Sequence, residues 1–359
     1  VFVITNRAVN AENDGIGAFG QRTNVAGPNE LRFARVQRDG ERWAVQFLAD
    51  HLDAAEADTL IKQHQLPLSG EGRYPASLGV ACDLAGRARG AGHHVLFYVH
   101  GYNNDMADVL ASAERLEQLY GVEVLAFSRP ANGGGLRGKA GYLSDKRDAR
   151  ASAGALERTL EKLRYYLSLI TASEHERLRE QAYERHPHNG EKRDALLAEL
   201  LQKQCPFTLN ALYHSMGVYL LKQLLKSSAN QGNELVFDNV VLCQADTNAD
   251  GHASWVDQIA HNHRLFITLN ENDYALRLSR MKPGGAQRAR LGQRIKGLDS
   301  QRACYIDFTH ADKIGRSHTP FGEPASANPA VRQFFQAAFR GEPAENDLSY
   351  QLDSGSYRV

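Results

Sequence analysis

The sequence predicts an α/β fold: a mostly parallel central sheet covered by helices on both faces, with an antiparallel N-terminal edge and a helical insertion ahead of the strand ending at Ser215. Two observations predict it. Apolar, β-rich runs alternate with amphipathic helical stretches through most of the chain, the pattern of a parallel sheet with crossover helices. The front differs, because "VFVITNRAV", "ELRFARVQ" and "WAVQFL" are short strands separated by turn-rich sequence, as in an antiparallel edge.

The elements follow in order. "HHVLFYVHG" (93–101) reads as a buried strand, and "DMADVLASAERLEQLY" behind it sets Val109, Leu116 and Leu119 on one helical face. "VEVLAFSRP" is the next strand and "RDARASAGALERTLEKLRYYLSLI" a long helix. "FTLNALYHS" leads to Ser215, and "GVYLLKQLLKSS" is a helix with Val218, Leu221, Leu224 and Leu225 on one side. "LVFDNVVLCQAD", "HRLFITLNEND" and "RACYIDFTH" are three further strands, and Pro329 opens the closing helix "NPAVRQFFQAAF". Two segments break the alternation. "SEHERLREQAYERHPHNGEKRDALLAELLQKQ" reads as a charged helical pair broken at "HPHNG", and "KPGGAQRARLGQRIKG" as a basic loop. With no repeat and no linker, residues 1–359 read as one domain carrying a lid-like helical insertion at 171–205.

Composition sets outer bounds. The 359 residues carry 42 basic and 42 acidic side chains, so no global charge draws the chain to nucleic acid or an anionic membrane. No run of about 18 apolar residues marks a membrane span. A soluble protein is expected, with the cytoplasm favoured over export; the chain begins at Val1 without methionine, which leaves a removed leader open. Cys82, Cys205, Cys243 and Cys304 lie far apart and read as core thiols.

The chemistry centres on "LYHSMG". A strand that ends abruptly at Ser215, with Gly217 allowing a helix to start at once, supplies most of a nucleophile elbow, although Tyr213 stands where that motif has glycine. The other reading of Ser215 is a helix N-cap. Other strand ends favour the elbow. "VLFYVHGYNND" puts His100 and Gly101 at the end of an earlier strand, where the N–H groups of Tyr102 and Met216 would together bind an oxyanion. Asp273 follows a later strand, and His310 and His318 follow the next. The order Ser, Asp, His after successive strand ends is that of an α/β-hydrolase triad. His318 is preferred to His310 because the longer loop returns its imidazole to Ser215, and Asp246 competes with Asp273 as the acid.

Together "VFVITNR", "VLFYVHGYNN", "FSRPA", "HSMGVYLL", "NDYALRLS" and "SHTPFG" resemble the α/β-hydrolase superfamily, and within it a bacterial esterase/lipase-like branch known as domain of unknown function nine hundred. The resemblance runs from Val1 to about Phe339. It implies Ser215 as nucleophile, Asp273 as orienting acid, His318 as base, and Tyr102 and Met216 as oxyanion donors. His100, His214 and Asp246 are expected at the substrate rim. Tyr213, Arg129 and the size of the charged insertion depart from the pattern. The expected activity is hydrolysis of a carboxylic ester or related acyl bond on a small-molecule substrate, without metal or organic cofactor and without nucleic acid. The alternatives are a catalytically idle binding or assembly module on the same fold and a phospholipase acting on single lipids.

Three further patterns are weaker. "DTNADGHASWVD" has the calcium-loop spacing but follows a strand, so a turn rich in Asx caps is the simpler reading. "GGGLRGKA" (133–140) nearly meets the phosphate-loop pattern, with Lys139 in place but Ala140 where the magnesium hydroxyl belongs. The histidine pairs 93/94, 186/188 and 261/263 form no coherent ligand set.

Overall fold

Runs rich in Val, Leu, Ile and Phe with nearly every side chain buried make the central strands, as a sheet covered on both faces requires. The computed structural model describes residues 1–69, 72–131, 142–204, 207–226, 237–281 and 288–359. The loop around Lys139, Cys205 and residues 282–287 of the basic loop lie outside the described residues. Strands β1 (Phe2–Thr5), β2 (Arg7–Val9), β3 (Phe19–Thr23), β4 (Arg32–Asp39) and β5 (Arg42–Phe47) form the front of the chain. They are followed by β6 (His94–Val99), β7 (Val122–Ser128), β8 (Leu209–His214), β9 (Asn239–Cys243), β10 (Arg264–Leu269), β11 (Ala303–Asp307), β12 (Ser349–Gln351) and β13 (Ser356–Arg358). The main sheet runs β12-β13-β11-β10-β9-β8-β6-β7-β1-β4-β5, and β2 pairs with β3 separately. From β13 through β11, β10, β9, β8, β6 and β7 to β1 all neighbours are parallel; β4, β5 and β12 pair antiparallel at the two edges.

The helices are α1 (Ala54–Gln63), α2 (Ala76–Ala91), α3 (Met106–Tyr120), α4 (Tyr142–Ala151), α5 (Ala153–Arg185), α6 (Gly190–Gln204), α7 (Met216–Leu225), α8 (Ala253–Val256), α9 (Tyr274–Arg280), α10 (Glu323–Ala327) and α11 (Pro329–Ala338). Alternation along β6 sends Val95, Phe97 and Val99 to the layer built by α2, α5 and α7, and Leu96 and Tyr98 to the layer built by α3 and α11. Each fully buried Leu or Phe in these layers contributes about 2 kcal/mol of apolar burial. Cys82 and Cys243 lie buried as free thiols, and burial pushes Cys82 up to about 12.

The long helix read over 147–170 breaks at Ser152, whose Oγ donates to the Asp148 carbonyl and accepts from Asn6 Nδ2. Its continuation α5 runs unbroken through the first half of the charged segment to Arg185. This corrects the lid-like placement of residues 171–205. A crossover helix leaves the C-terminal edge of the sheet and returns to the N-terminal edge. Accordingly α5 starts beside Asn6, just past β1, while its Glu174 pairs with Arg89 near the end of α2. The last eleven residues of α5 extend about 16 Å further, so the α5–α6 hairpin projects from the edge opposite the strand ends that carry Ser215, Asp273 and His318.

Candidate active site

Parallel strands deliver their C-terminal ends to one edge, which is why Gly101, Ser215, Asp273 and His318 meet although far apart in sequence. At the end of β8, Ser215 holds φ 53° and ψ −113°, a backbone that an L-residue adopts only under strain. Three backbone bonds keep it there: Ser215 N–H donates to Cys243 O at 2.9 Å, and Ser215 O accepts from Val218 N–H at 3.1 Å and from Asp246 N–H at 3.2 Å. The residue occupies the N-cap position of α7, yet its side chain makes no capping hydrogen bond. The N-cap reading therefore gives no work to Oγ.

The turn is tight because two positions lack a Cβ. A Cβ on Gly217 would stand 2.6 Å from Val99 O, and one on Gly101 would stand 3.0 Å from Ser215 Cβ. Tyr213 does not crowd the turn. Val99 is its partner in the sheet, but its ring packs edge-on against Phe97 at 6.3 Å, leaning back along the strand away from Ser215. The fully buried phenol leaves its Oη without a hydrogen-bond partner among the described residues.

Asp273 caps α9. Its Oδ1 accepts from Leu276 N–H at 3.0 Å, and its Oδ2 accepts from His318 Nδ1 at 2.7 Å. Both carboxylate oxygens are thus engaged in a fully buried side chain at a helix N-terminus, the helix end that favours negative charge. Burial works to lower the His318 pKa, but the charge and hydrogen bond of Asp273, with Asp246 adding, carry it above 6.5. The ring is 22% exposed.

The loop bearing His318 is fastened from several sides. Asn270 Nδ2 donates to the Gly315 and Ser317 carbonyls at 3.0 and 3.3 Å, and Tyr120 Oη donates to Phe321 O at 2.7 Å. The His214 ring lies 4.7 Å from the His318 ring and 5.2 Å from Phe321, with Nε2 bonded to His318 O at 2.8 Å. Since a carbonyl only accepts, His214 is the neutral Nε2–H tautomer; burial and the neighbouring His318 lower its pKa to about 3.

The three residues expected at the substrate rim are all buried. His100 is fully buried, with Nδ1 bonded to Gly101 O at 2.9 Å and Nε2 accepting from Arg129 N–H at 3.2 Å. His214 is 4% exposed and Asp246 3%. Asp246 Oδ1 accepts from Ser279 Oγ at 2.6 Å and pairs with Arg290 Nε at 3.0 Å, and His318 takes its carboxylate contact from Asp273. His310 is exposed. The carboxylates at calcium-loop spacing diverge: Asp250 pairs with Arg288 and Arg294, and Asp257 accepts from Ser300.

Sequence reasoning missed the roles of Asn270 and of the buried arginines Arg7, Arg129 and Arg290. Among them Arg129, just past the end of β7, stood out in the sequence only as a departure from the family pattern. The tyrosine after Gly101 and the methionine after Ser215 follow their strands as expected, and the Met216 N–H opens α7, where no acceptor exists within the helix.

A parallel sheet with a strained serine turn and a buried Asp–His pair at its C-terminal edge defines an α/β hydrolase. The chain belongs to the family described as "Alpha/beta hydrolase of unknown function (DUF900)", which matches residues 83–173 and 176–326. No curated protein and no solved structure matches it. Membership gives hydrolysis as the class of activity.

Proposed function

We propose that the protein is a serine hydrolase of carboxylic esters or related acyl bonds. The observation that carries this reading is the 2.7 Å Asp273–His318 contact beside a serine held at φ 53° without a capping bond. In this mechanism Ser215 Oγ attacks the carbonyl carbon while its proton passes to His318 Nε2, and Asp273 stabilises the imidazolium. The Met216 and Tyr102 N–H groups receive the oxyanion. Collapse expels the alcohol, which takes the proton from His318, and a water activated by the same histidine releases the acid. No step calls on a metal or organic cofactor.

A fluorophosphonate probe tests the reading on the full chain. Covalent labelling is expected at Ser215, abolished in Ser215→Ala and strongly reduced in His318→Ala. Folded wild-type protein that stays unlabelled would overturn it and leave the fold as a binding module.

A further inference from the structure

We propose that Arg129 is a positioning residue that, with His100, aims the Tyr102 N–H at the reacting carbonyl. The inference rests on the serine-hydrolase reading given above and adds to it the part that orients one oxyanion donor. The carbonyl of Gly101 and the N–H of Tyr102 belong to one planar trans peptide unit and point in opposite directions. Whatever fixes the oxygen therefore fixes the N–H.

Two donors hold that oxygen. His100 Nδ1–H reaches it at 2.9 Å and Arg129 Nη2–H at 3.2 Å. The two donors are themselves tied, because the Arg129 backbone N–H donates to His100 Nε2 at 3.2 Å. This bond makes Nε2 the acceptor and Nδ1 the protonated nitrogen, so the ring is neutral and in the one tautomer that can donate to Gly101 O. The circuit closes from Arg129 N–H through the His100 ring to the Gly101 carbonyl and back to the Arg129 guanidinium.

The location matters as much as the bonds. Gly101 lies against the nucleophile, since a Cβ there would meet Ser215 Cβ at 3.0 Å and His214 Nδ1 at 3.1 Å. Arg129 is fully buried, and its guanidinium hydrogen bonds go to two backbone carbonyls, Gly101 and Pro130. Its Nε has no hydrogen-bond partner among the described residues. The negative charges of Asp145 and Asp148 act on it favourably. Arg7, also buried, donates through Nε to Ser128 Oγ at 3.0 Å and steadies the strand end from which Arg129 leaves. Burying a cation is costly, and a neutral side chain would fill the same space more cheaply. A charged donor on the Gly101 carbonyl also polarises its peptide, which strengthens the N–H at the far end.

The test uses the full chain with p-nitrophenyl butyrate as acyl substrate, comparing wild type, Arg129→Met and Arg129→Lys after confirming that each variant is folded. Arg129→Met is expected to lower kcat by about 100-fold, the scale of a misdirected oxyanion donor, with KM within about threefold. Arg129→Lys, which keeps a buried cationic donor, is expected to recover about tenfold of that loss. The acid limb of the pH–rate profile belongs to His318 and Asp273 and should not move in either variant, whereas a general loosening of the site would shift it. If Arg129→Met fails to fold, Arg129→Lys alone decides, by a kcat about tenfold below wild type at constant KM. A folded variant with wild-type kcat, or one in which KM rises while kcat holds, would overturn the inference and leave the serine-hydrolase reading standing. Wild-type protein that neither turns over the ester nor takes the fluorophosphonate label would remove both.

Discussion

At the residue scale the site depends on one strained backbone and one short hydrogen bond, and each gives a measurement. Ser215 at φ 53° and ψ −113° occupies a conformation that glycine adopts without a Cβ penalty. Ser215→Gly should therefore be more stable than Ser215→Ala by about 1–2 kcal/mol in urea unfolding, although both lack the nucleophile. Equal stability would show that the turn stores no strain. Asp273 raises the His318 pKa above 6.5, so kcat/KM for a p-nitrophenyl ester should rise with pH through that raised value, as the imidazole loses its proton and becomes a base. Asp273→Asn should move the limb to lower pH and cut kcat by about 10³–10⁴-fold. An acid limb that stays in place would remove Asp273 from the reaction. The placement of Ser215, Asp273 and His318 past strand ends was legible in the sequence because strand ends are marked by abrupt changes from apolar to polar residues. Tyr213 was read as a departure because the motif is one-dimensional, whereas the direction of a side chain on a pleated strand, here toward Phe97, comes from packing. The Arg129–His100–Gly101 circuit was illegible for the same reason: Arg129 stood out only as a departure from the family pattern, and which carbonyls its guanidinium reaches comes from packing.

At the element scale the turn between β8 and α7 is set by how closely α7 approaches the end of β6. Gly217→Ala places a methyl 2.6 Å from a backbone carbonyl, which cannot rotate away. The variant should lose about 1–3 kcal/mol of stability and its probe labelling together; wild-type labelling would show that the helix can retreat. The inserted hairpin is the contrasting case. Because α5 ends at the sheet edge opposite the site, replacing residues 179–201 with a six-residue Gly-Ser link, enough to join antiparallel helices about 9 Å apart, should leave kcat/KM for a soluble ester within about threefold. A large loss would mean that the hairpin reaches the site after all. Charge composition alone suggested a lid, since a polar helical pair before the serine strand looks the same at either edge. Helix α2 shows the converse limit. It carries three glycines and is buried round most of its circumference, so "ASLGVACDLAGRARGA" shows little of the one-sided periodicity that marked α3.

At the scale of the whole molecule, the buried histidines link the site to stability. Among the described residues no helix is long and apolar enough to cross a membrane. His214 titrates near 6.5 in the unfolded chain and at about 3 in the folded one. Between those values the unfolded chain binds a proton that the folded protein refuses, so stability falls as pH drops through the window and levels off below it. His100, held well below 6.5 mainly by burial, acts in the same direction. His318 acts oppositely: its raised pKa contributes stability below 6.5 that is lost as pH rises through the folded value. Burial lowers His64, His94 and His261 as well, so five depressed histidines outnumber the raised one and acidification should destabilise the protein before its carboxylates titrate. By pH 5 the His214 contribution alone amounts to about 2 kcal/mol. His214→Gln removes that titration while keeping an amide donor for the His318 carbonyl, so its urea midpoint should match wild type more closely at pH 5 than at pH 7, with a shallower slope between. Parallel slopes for the two proteins would mean that His214 is protonated in the folded state; its ring would then repel His318, and the neutral pairing of the two rings would have to be abandoned.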